Sequence, residues 1–209
     1  MLVDFGSTDG LHEWVKENFV DEMEAGYLKY YYTEELPFWH ASIAKNTAHT
    51  LAMHRIVVNL DCDNFTGKDG GLFVIDSMLK YGHAKTVLHQ FSNEPGDGTY
   101  GRIAMSKDNF LRLGGYDESF EPAGYQDRDL LLRAQLMGIQ CISRPDAAYS
   151  KAIANTVEET VAYISSALSR EEMSERNYHL SLKNITSGNL KANADRDHIG
   201  IIDNIYTFE

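Results

Sequence analysis

The alternation of apolar and polar positions along this chain switches repeatedly between a period near two and a period near 3.6, and those switches outline its elements. Leu2-Val3-Asp4 reads as the end of a strand, and Gly6-Ser7-Thr8-Asp9-Gly10 as a turn whose Ser and Asp can cap a helix. Helical spacing then runs over residues 11–23. The aromatic run Tyr27-Leu28-Lys29-Tyr30-Tyr31-Tyr32 is β-prone, whereas residues 42–53 are alanine-rich and amphipathic, as a helix would be. Residues 55–60 form the clearest strand, a buried apolar run that stops abruptly at Asp61-Cys62-Asp63-Asn64, ahead of Thr66-Gly67.

Further along, the spacing predicts a helix over 70–80, and Asn93-Glu94-Pro95-Gly96-Asp97-Gly98 is a turn or mobile loop between strands. A short strand over 102–105 leads to a helix over 107–113, which Ser106 caps and which ends at Gly114-Gly115. A second strong helix spans 127–137, and 139–142 reads as a strand. Strands alternating with helices predict an α/β sheet covered by helices on both faces. The last third differs: 157–177 has helical periodicity, and 180–209 is polar, Asn-rich and irregular up to Ile199-Gly200-Ile201-Ile202, as a flap over a site would be.

At 209 residues the chain fits one domain, and 43% hydrophobic with 24% charged residues is the composition of a soluble globular protein. A net charge of −12 argues against a nucleic-acid partner, which requires a basic stripe, and no such stripe is visible in the sequence. An acidic protein that binds a polyanionic phosphate needs local compensation, which a divalent cation can supply. Cys62 and Cys141 stand far apart with no CxxC or Cys/His cluster, so both are expected as buried thiols in a reducing compartment. No apolar run approaches the ~20 residues of a membrane helix, and the N-terminus has no signal-peptide pattern, so the expected location is cytoplasmic. The sequons at Asn64 and Asn184 then carry no weight.

The acidic pair Asp61 and Asp63 lies at the C-terminal end of a buried strand, where open α/β sheets place their ligands. Two carboxylates converging there suit a hard cation such as Mn²⁺ or Mg²⁺ bridging to a diphosphate, although a solvated acidic loop has the same spacing. Asp4 ends an earlier strand similarly, ahead of Gly6 and Ser7. Lys45-Asn46 offers a cation and an amide early in a helix. The glycine-rich run from Gly114 to Leu130 permits close backbone approach to a ligand, and Asp127 and Asp129 open the helix that follows. Asp127 is positioned to serve as a general base. Helix-dipole pairing is an equal explanation for Asp129, Asp117 and Glu118.

Together these residues resemble the family 2 glycosyltransferases. Val3-Asp4-Phe5-Gly6-Ser7-Thr8-Asp9 is similar to their V-D-D-G-S-x-D turn, Ala44-Lys45-Asn46 to their R/K-N-x-A helix, and Asn59-Leu60-Asp61-Cys62-Asp63 to their DxD strand. Residues 101–130 are similar to the galactosyltransferase-type C-terminal motif, in which G-G-x-D-E-x-F precedes G-x-E-D-x-D-L. The small glycosyltransferases encoded by large chlorella viruses are the nearest group within this resemblance. The fold so implied is GT-A, a Rossmann-like nucleotide-binding mixed sheet flanked by helices with a C-terminal helical and irregular flap. One domain would span 1–209, with a nucleotide-sugar half over 1–100, an acceptor and catalytic half over 101–150, and a helix and flap over 151–209.

The resemblance also implies a role for each site residue. Asp4 would contact the uracil of a UDP-sugar, UDP-glucose for the viral group, with Phe5, Gly6 and Ser7 beside it. Lys45 and Asn46 would meet the nucleotide, and Asp61, Cys62 and Asp63 would bracket ribose and metal. Asp127 would be the base of an inverting single displacement by a hexosyltransferase, with Gly114, Gly115, Tyr125, Gln126 and Asp129 on the side of a glycan or glycoprotein acceptor. A viral enzyme of this kind would work in host cytoplasm.

Phe5 stands where the family has a second Asp, and Gln126 where it has Glu. No His lies near residues 144–151, which leaves His179 or His198 as a third metal ligand. The chain also opens almost on the Asp4 strand, so either the sheet is shorter than the family's or another segment replaces the first strand. Two other functions remain open: a nucleotide-sugar-binding module without turnover, which Phe5 and Gln126 favour, and a sugar nucleotidyltransferase, which the absence of a Gly-rich basic phosphate loop disfavours.

Overall fold

A computed structural model describes residues 1–91, 98–145 and 151–208. Most of the turn expected at Asn93-Gly98 lies outside the described residues. Strand β1 (Leu2–Asp4) is followed by helices α1 (Leu11–Asn18) and α2 (Val20–Glu24), strand β2 (Tyr30–Tyr32) and helix α3 (Ala41–Leu51). Then come β3 (Ile56–Val58), β4 (Asn64–Phe65), α4 (Gly70–Tyr81), β5 (Thr86–Phe91), β6 (Ile103–Ser106) and α5 (Lys107–Arg112). Helix α6 (Gln126–Leu136), strands β7 (Gln140–Pro145) and β8 (Lys151–Ala152), helices α7 (Val157–Val161) and α8 (Arg170–Thr186), and strand β9 (Tyr206–Phe208) complete the order.

The larger sheet has the order β3-β6-β5-β7, antiparallel except for the parallel pair β5 and β7. Its period-two pattern explains the layering. Val87 pairs with Met105, and both face a core shared with Val57, Phe110 and Leu130; their neighbours Leu88 and Ala104 face the other way, onto Val74 and Met78 of α4. Helices therefore cover both faces, as a sheet with apolar residues on both sides requires.

The smaller sheet is β1-β2-β9, with β1 parallel to β2 and β9 antiparallel to it. Among the described residues no strand pairs the outer edges of β1 and β3. Between them lies a groove of about 450 Å³, lined by Leu2, Tyr31, Ala52, Ile56 and Val58.

Several elements differ from the sequence expectations. The helix expected over 11–23 breaks at Phe19, whose φ of −126° and ψ of 25° separate α1 from α2. The helix expected over 157–177 is two helices. Thr156 with Glu159, and Ser169 with Glu172, each form a reciprocal capping box, so a fresh start is encoded twice, and α8 continues to residue 186. Cys62 is exposed rather than buried, because it sits in the loop after β3, and Cys141 is half-buried.

The corner at Gly114-Gly115 is fixed from several sides. Arg133, 2% exposed, pairs with Asp129 at 2.7 Å and donates to the Leu113 and Gly115 carbonyls, while Ser181 donates to the other Asp129 oxygen. A buried charge is tolerated only with this degree of pairing. From α3, Asn46 donates to the Tyr116 carbonyl and to Glu118, and accepts from the Tyr116 amide. The C-terminal segment then crosses this corner: Ala192 donates to the Leu113 carbonyl, Gly200 to Glu118 and Ile201 to Thr47.

Gly114 has φ of 71°, and a Cβ there would lie 1.9 Å from the Ala192 carbonyl oxygen. Both the backbone conformation and the contact exclude a side chain. Gly114→Ala is expected to cost about 2–4 kcal/mol and to lower the melting temperature by roughly 5–10 °C in a thermal unfolding scan.

Candidate active site

Helix α3 carries Lys45 next to the buried Asn46 anchor, about 100° around the helix axis, and this offset aims the ammonium at a space between neighbouring elements. Lys45 Nζ donates to Asp127 Oδ1 at 3.0 Å and lies 4.0 Å from Asp61 Oδ1 and 5.3 Å from the centre of the Tyr116 ring. The Lys45 side chain is 11% exposed, that of Asp127 20% and that of Asp61 41%. Burial alone would lower the Lys45 pKa, but the Asp127 and Asp61 carboxylates outweigh it and hold the amine above its ordinary value.

Gly101 marks the point where these groups converge. A Cβ placed on it would meet Lys45 Nζ at 3.0 Å, Asp127 Oδ2 at 3.2 Å and Asp61 Oδ2 at 3.3 Å. The focus therefore brings together α3, the end of β3, the approach to β6 and the start of α6. Asn59 fixes one wall, donating to Asp61 Oδ1 at 3.0 Å and to the Gly101 carbonyl at 3.1 Å.

Asp63 turns the other way, toward the β4–β8 ladder. Its carboxylate accepts from the Asn64 and Asn155 amides, and its carbonyl from the Ile153 amide. Two carboxylates at one strand end supply hard oxygen ligands of the kind Mn²⁺ and Mg²⁺ take, with the remaining positions left to phosphate and water. The donor types suit such an ion, while the two carboxylates face different partners. No third protein ligand joins them: among the described residues no group of three His, Cys, Asp or Glu is assembled. His179 is exposed on α8 beside Glu175 and Tyr178, and His198 is exposed in the C-terminal segment, so neither completes a site with the Asp pair.

The other expected residues divide between surface and interior. Asp4 is 2% exposed, and its two oxygens accept from the Ser7 amide and the Tyr30 hydroxyl, so the carboxylate holds its own turn, which includes Gly6. Phe5 is half-buried, with its ring edge-on to Trp39 at 6.0 Å. Cys62 is exposed in the acidic loop. Asn46, Gly114, Gly115 and Asp129 are enclosed in the corner described above. Gln126 is buried and donates to the Pro122 carbonyl. Tyr125, left-handed at φ 70°, precedes α6 with its ring 5.3 Å from that of Tyr178. Of the residues expected at the site in that run, Asp127 and Tyr125 are half-buried and the others are buried.

Sequence reasoning assigned no role to Gly101, Asn59, Tyr116 or Asn155. The first three lie inside the motif runs quoted above, but nothing in their spacing marks contact across the chain. Asn155 has no local signal at all.

No family model matches the chain, and no curated protein matches it. Solved structures do. A mannosyltransferase from Pyrobaculum calidifontis, in complex with GDP-Man and Mn²⁺, superposes with a TM-score of 0.65 at 17% identity over 87% of this chain. This chain spans 54% of that enzyme's length. The fold is GT-A. The catalytic domain of Drosophila β1,4-galactosyltransferase 7 in complex with xylobiose agrees at a TM-score of 0.52 and 16% identity, over 84% of this chain and 78% of that one. A mutant of the same enzyme with manganese, UDP-Gal and xylobiose gives 0.52 at 14% identity, covering 84% and 79%. In this GT-A chain the acidic loop after β3 and the start of α6 thus meet at one sheet edge.

Gly101→Ala places a methyl group among the three converging side chains. It is expected to weaken binding of UDP with Mn²⁺ about tenfold by calorimetry while leaving the melting temperature nearly unchanged. His49, one turn beyond Lys45 and 6% exposed, lies within 2.6 Å of the Lys45 carbonyl and stacks on Phe110. Burial lowers its pKa from 6.5 to about 4, so the unfolded chain binds the extra proton between those values. Stability present above pH 6.5 is lost as pH falls toward 4, by about 3 kcal/mol. His40 and His89 are lowered by burial in the same sense. Denaturant titrations across this range should show a shallower pH slope in His49→Gln than in the wild type.

Proposed function

We propose that the protein is a glycosyltransferase that moves a hexose from a UDP-sugar, UDP-glucose by the resemblance, to a hydroxyl of a glycan or glycoprotein acceptor. The observation that carries this reading is the convergence of Lys45, Asp61 and Asp127 on Gly101, beside Asp63, at the end of a strand. Asp61 and Asp63 would hold Mn²⁺ or Mg²⁺, whose charge, when bound, offsets that developing on the departing diphosphate. Lys45 adds a fixed positive charge at the same phosphates.

Asp127 accepts the proton from the acceptor hydroxyl as that oxygen bonds to the anomeric carbon. The bond from that carbon to the phosphate oxygen breaks as the new one forms, and its electron pair leaves with UDP. Displacement from the opposite face inverts the anomeric centre. GDP-Man, UDP-Gal and manganese in the complexes of the structural neighbours support a nucleotide-sugar donor and a divalent cation without choosing the base or the sugar. The division into a donor half over 1–100 and an acceptor half over 101–150 follows the same logic, and host cytoplasm is the working place if the viral kinship holds.

A second reading, a nucleotide-sugar-binding module without turnover, is favoured by one observation: Asp127 is already engaged by Lys45. A panel of UDP- and GDP-sugars, scanned for thermal stabilisation with and without Mn²⁺, separates the two. The enzyme is stabilised by a UDP-sugar only with Mn²⁺ and slowly releases free sugar. In Asp127→Asn the stabilisation persists and sugar release falls by roughly a hundredfold or more; in Asp63→Ala the metal-dependent stabilisation disappears. Stabilisation without release by the wild type would favour the module, and no response to any donor would defeat both readings.

A further inference from the structure

Arg128 follows Asp127 at the start of α6 and stands between two carboxylates without pairing with either. Asp127 accepts from Lys45, and Asp129 is taken by Arg133 and Ser181. The Arg128 side chain is exposed and forms no ion pair or hydrogen bond among the described residues. It lies over the Tyr100 ring, 5.4 Å from its centre. A guanidinium in contact with an aromatic face keeps most of its N–H donors free.

The ring beneath it is held in place. His89 lies 2.8 Å from the Tyr100 carbonyl and edge-on to the ring, with Phe91 alongside. Tyr100 is nevertheless 40% exposed, and the residue after it is Gly101, on which Lys45, Asp61 and Asp127 converge. The Arg128–Tyr100 pair therefore adjoins that focus through the chain on both sides. Three residues before Arg128, Tyr125 is left-handed at φ 70°, a conformation that glycine or asparagine adopts at lower cost than tyrosine. Its ring meets that of Tyr178 edge-on at 5.3 Å, and Tyr178 is itself 40% exposed. Burial and Tyr178 raise the pKa of the Tyr125 phenol while the Arg128 charge lowers it, so the two ring pairs lie within electrostatic reach of each other.

Exposed aromatic faces receive the C–H face of a sugar ring, and a guanidinium edge receives a planar carboxylate through paired N–H donors. A neutral sugar has no need of the charge, whereas an anionic one must be offset against a chain of net charge −12. We propose that Arg128, with Tyr100, Tyr125 and Tyr178, forms an acceptor subsite for a sugar that carries a carboxylate, a uronic acid residue. The rings seat the sugar beside Asp127 and the guanidinium holds its carboxylate. This inference rests on the reading of the protein as a glycosyltransferase and deepens it by naming the acceptor class.

Ligand-observed NMR titrations with methyl β-D-glucuronide and methyl β-D-glucoside test it, in UDP and Mg²⁺, since Mn²⁺ would broaden the signals. The two probes differ only in the carboxylate. Expected is saturable binding of the glucuronide, about fivefold tighter than the glucoside. In Arg128→Gln that ratio falls to about one with the melting temperature unchanged, and in Tyr178→Ala both probes bind more weakly while the ratio persists. Equal affinity of the wild type for the two probes, or saturable binding of neither, overturns the proposal. A ratio that survives Arg128→Gln overturns it too, because the carboxylate is then held elsewhere. A wild type that releases sugar from a nucleotide-sugar donor yet shows no ratio fails this proposal alone; one that answers to no donor of the panel fails the glycosyltransferase reading, and the acceptor assignment with it.

Discussion

The arrangement depends on an ammonium group placed where water scarcely reaches. Lys45 is offset by two carboxylates that arrive from different parts of the chain, Asp127 at 3.0 Å and Asp61 at 4.0 Å. Without them an amine so placed would lose its proton or turn outward. With them it becomes a fixed positive centre in a protein whose net charge is −12. The ammonium does not outweigh the carboxylates around it, so a polyanionic ligand approaching this surface would need a divalent cation to offset the remaining negative charge.

Holding that centre requires rigid supports, and they lie one residue away. Asn46 faces inward and makes three hydrogen bonds to Tyr116 and Glu118, while Lys45 points at Asp127 and Asp61. The same helix therefore serves as anchor and as probe. Arg133 and Asp129 lock the corner from behind, and the segment over 192–201 straps it from outside. Glu118 joins these layers, accepting from Asn46, Gly200 and Arg196. This is why residues such as Asp129, Glu118 and Asn46, which a motif marks as part of a site, act here by shaping it from inside.

The two carboxylates of the acidic loop divide their work. Asp61 faces Lys45 and the Gly101 focus, and Asp63 faces Asn64 and Asn155 on the β4–β8 side. A cation between them and a diphosphate would link the loop to the phosphate-facing ammonium across a short span. The Tyr116 ring lies under the Lys45 ammonium, 5.3 Å from it, and closes the inner side of the same centre.

Much of this was legible in the chain itself. Apolar runs ending in Asp4 and Asp61-Cys62-Asp63 located β1 and β3, and Ser106 marked the start of α5, because backbone geometry and local hydrogen bonding act over a few residues; GT-A was implied by the resemblance that the ordered motifs carry. The capping boxes at Thr156 and Ser169 were equally local and readable, and they outweigh the continuous helical spacing that suggested one long helix. What the tertiary structure alone decided is pairing over distance. That Asp4 is consumed by Tyr30, that Cys62 is exposed, that β9 joins β2, and that Lys45, Asp61 and Asp127 share one focus all depend on segments up to 178 positions apart being brought together. A side chain's type states which bonds it can make; only the packed fold determines which donors come within reach of each carboxylate.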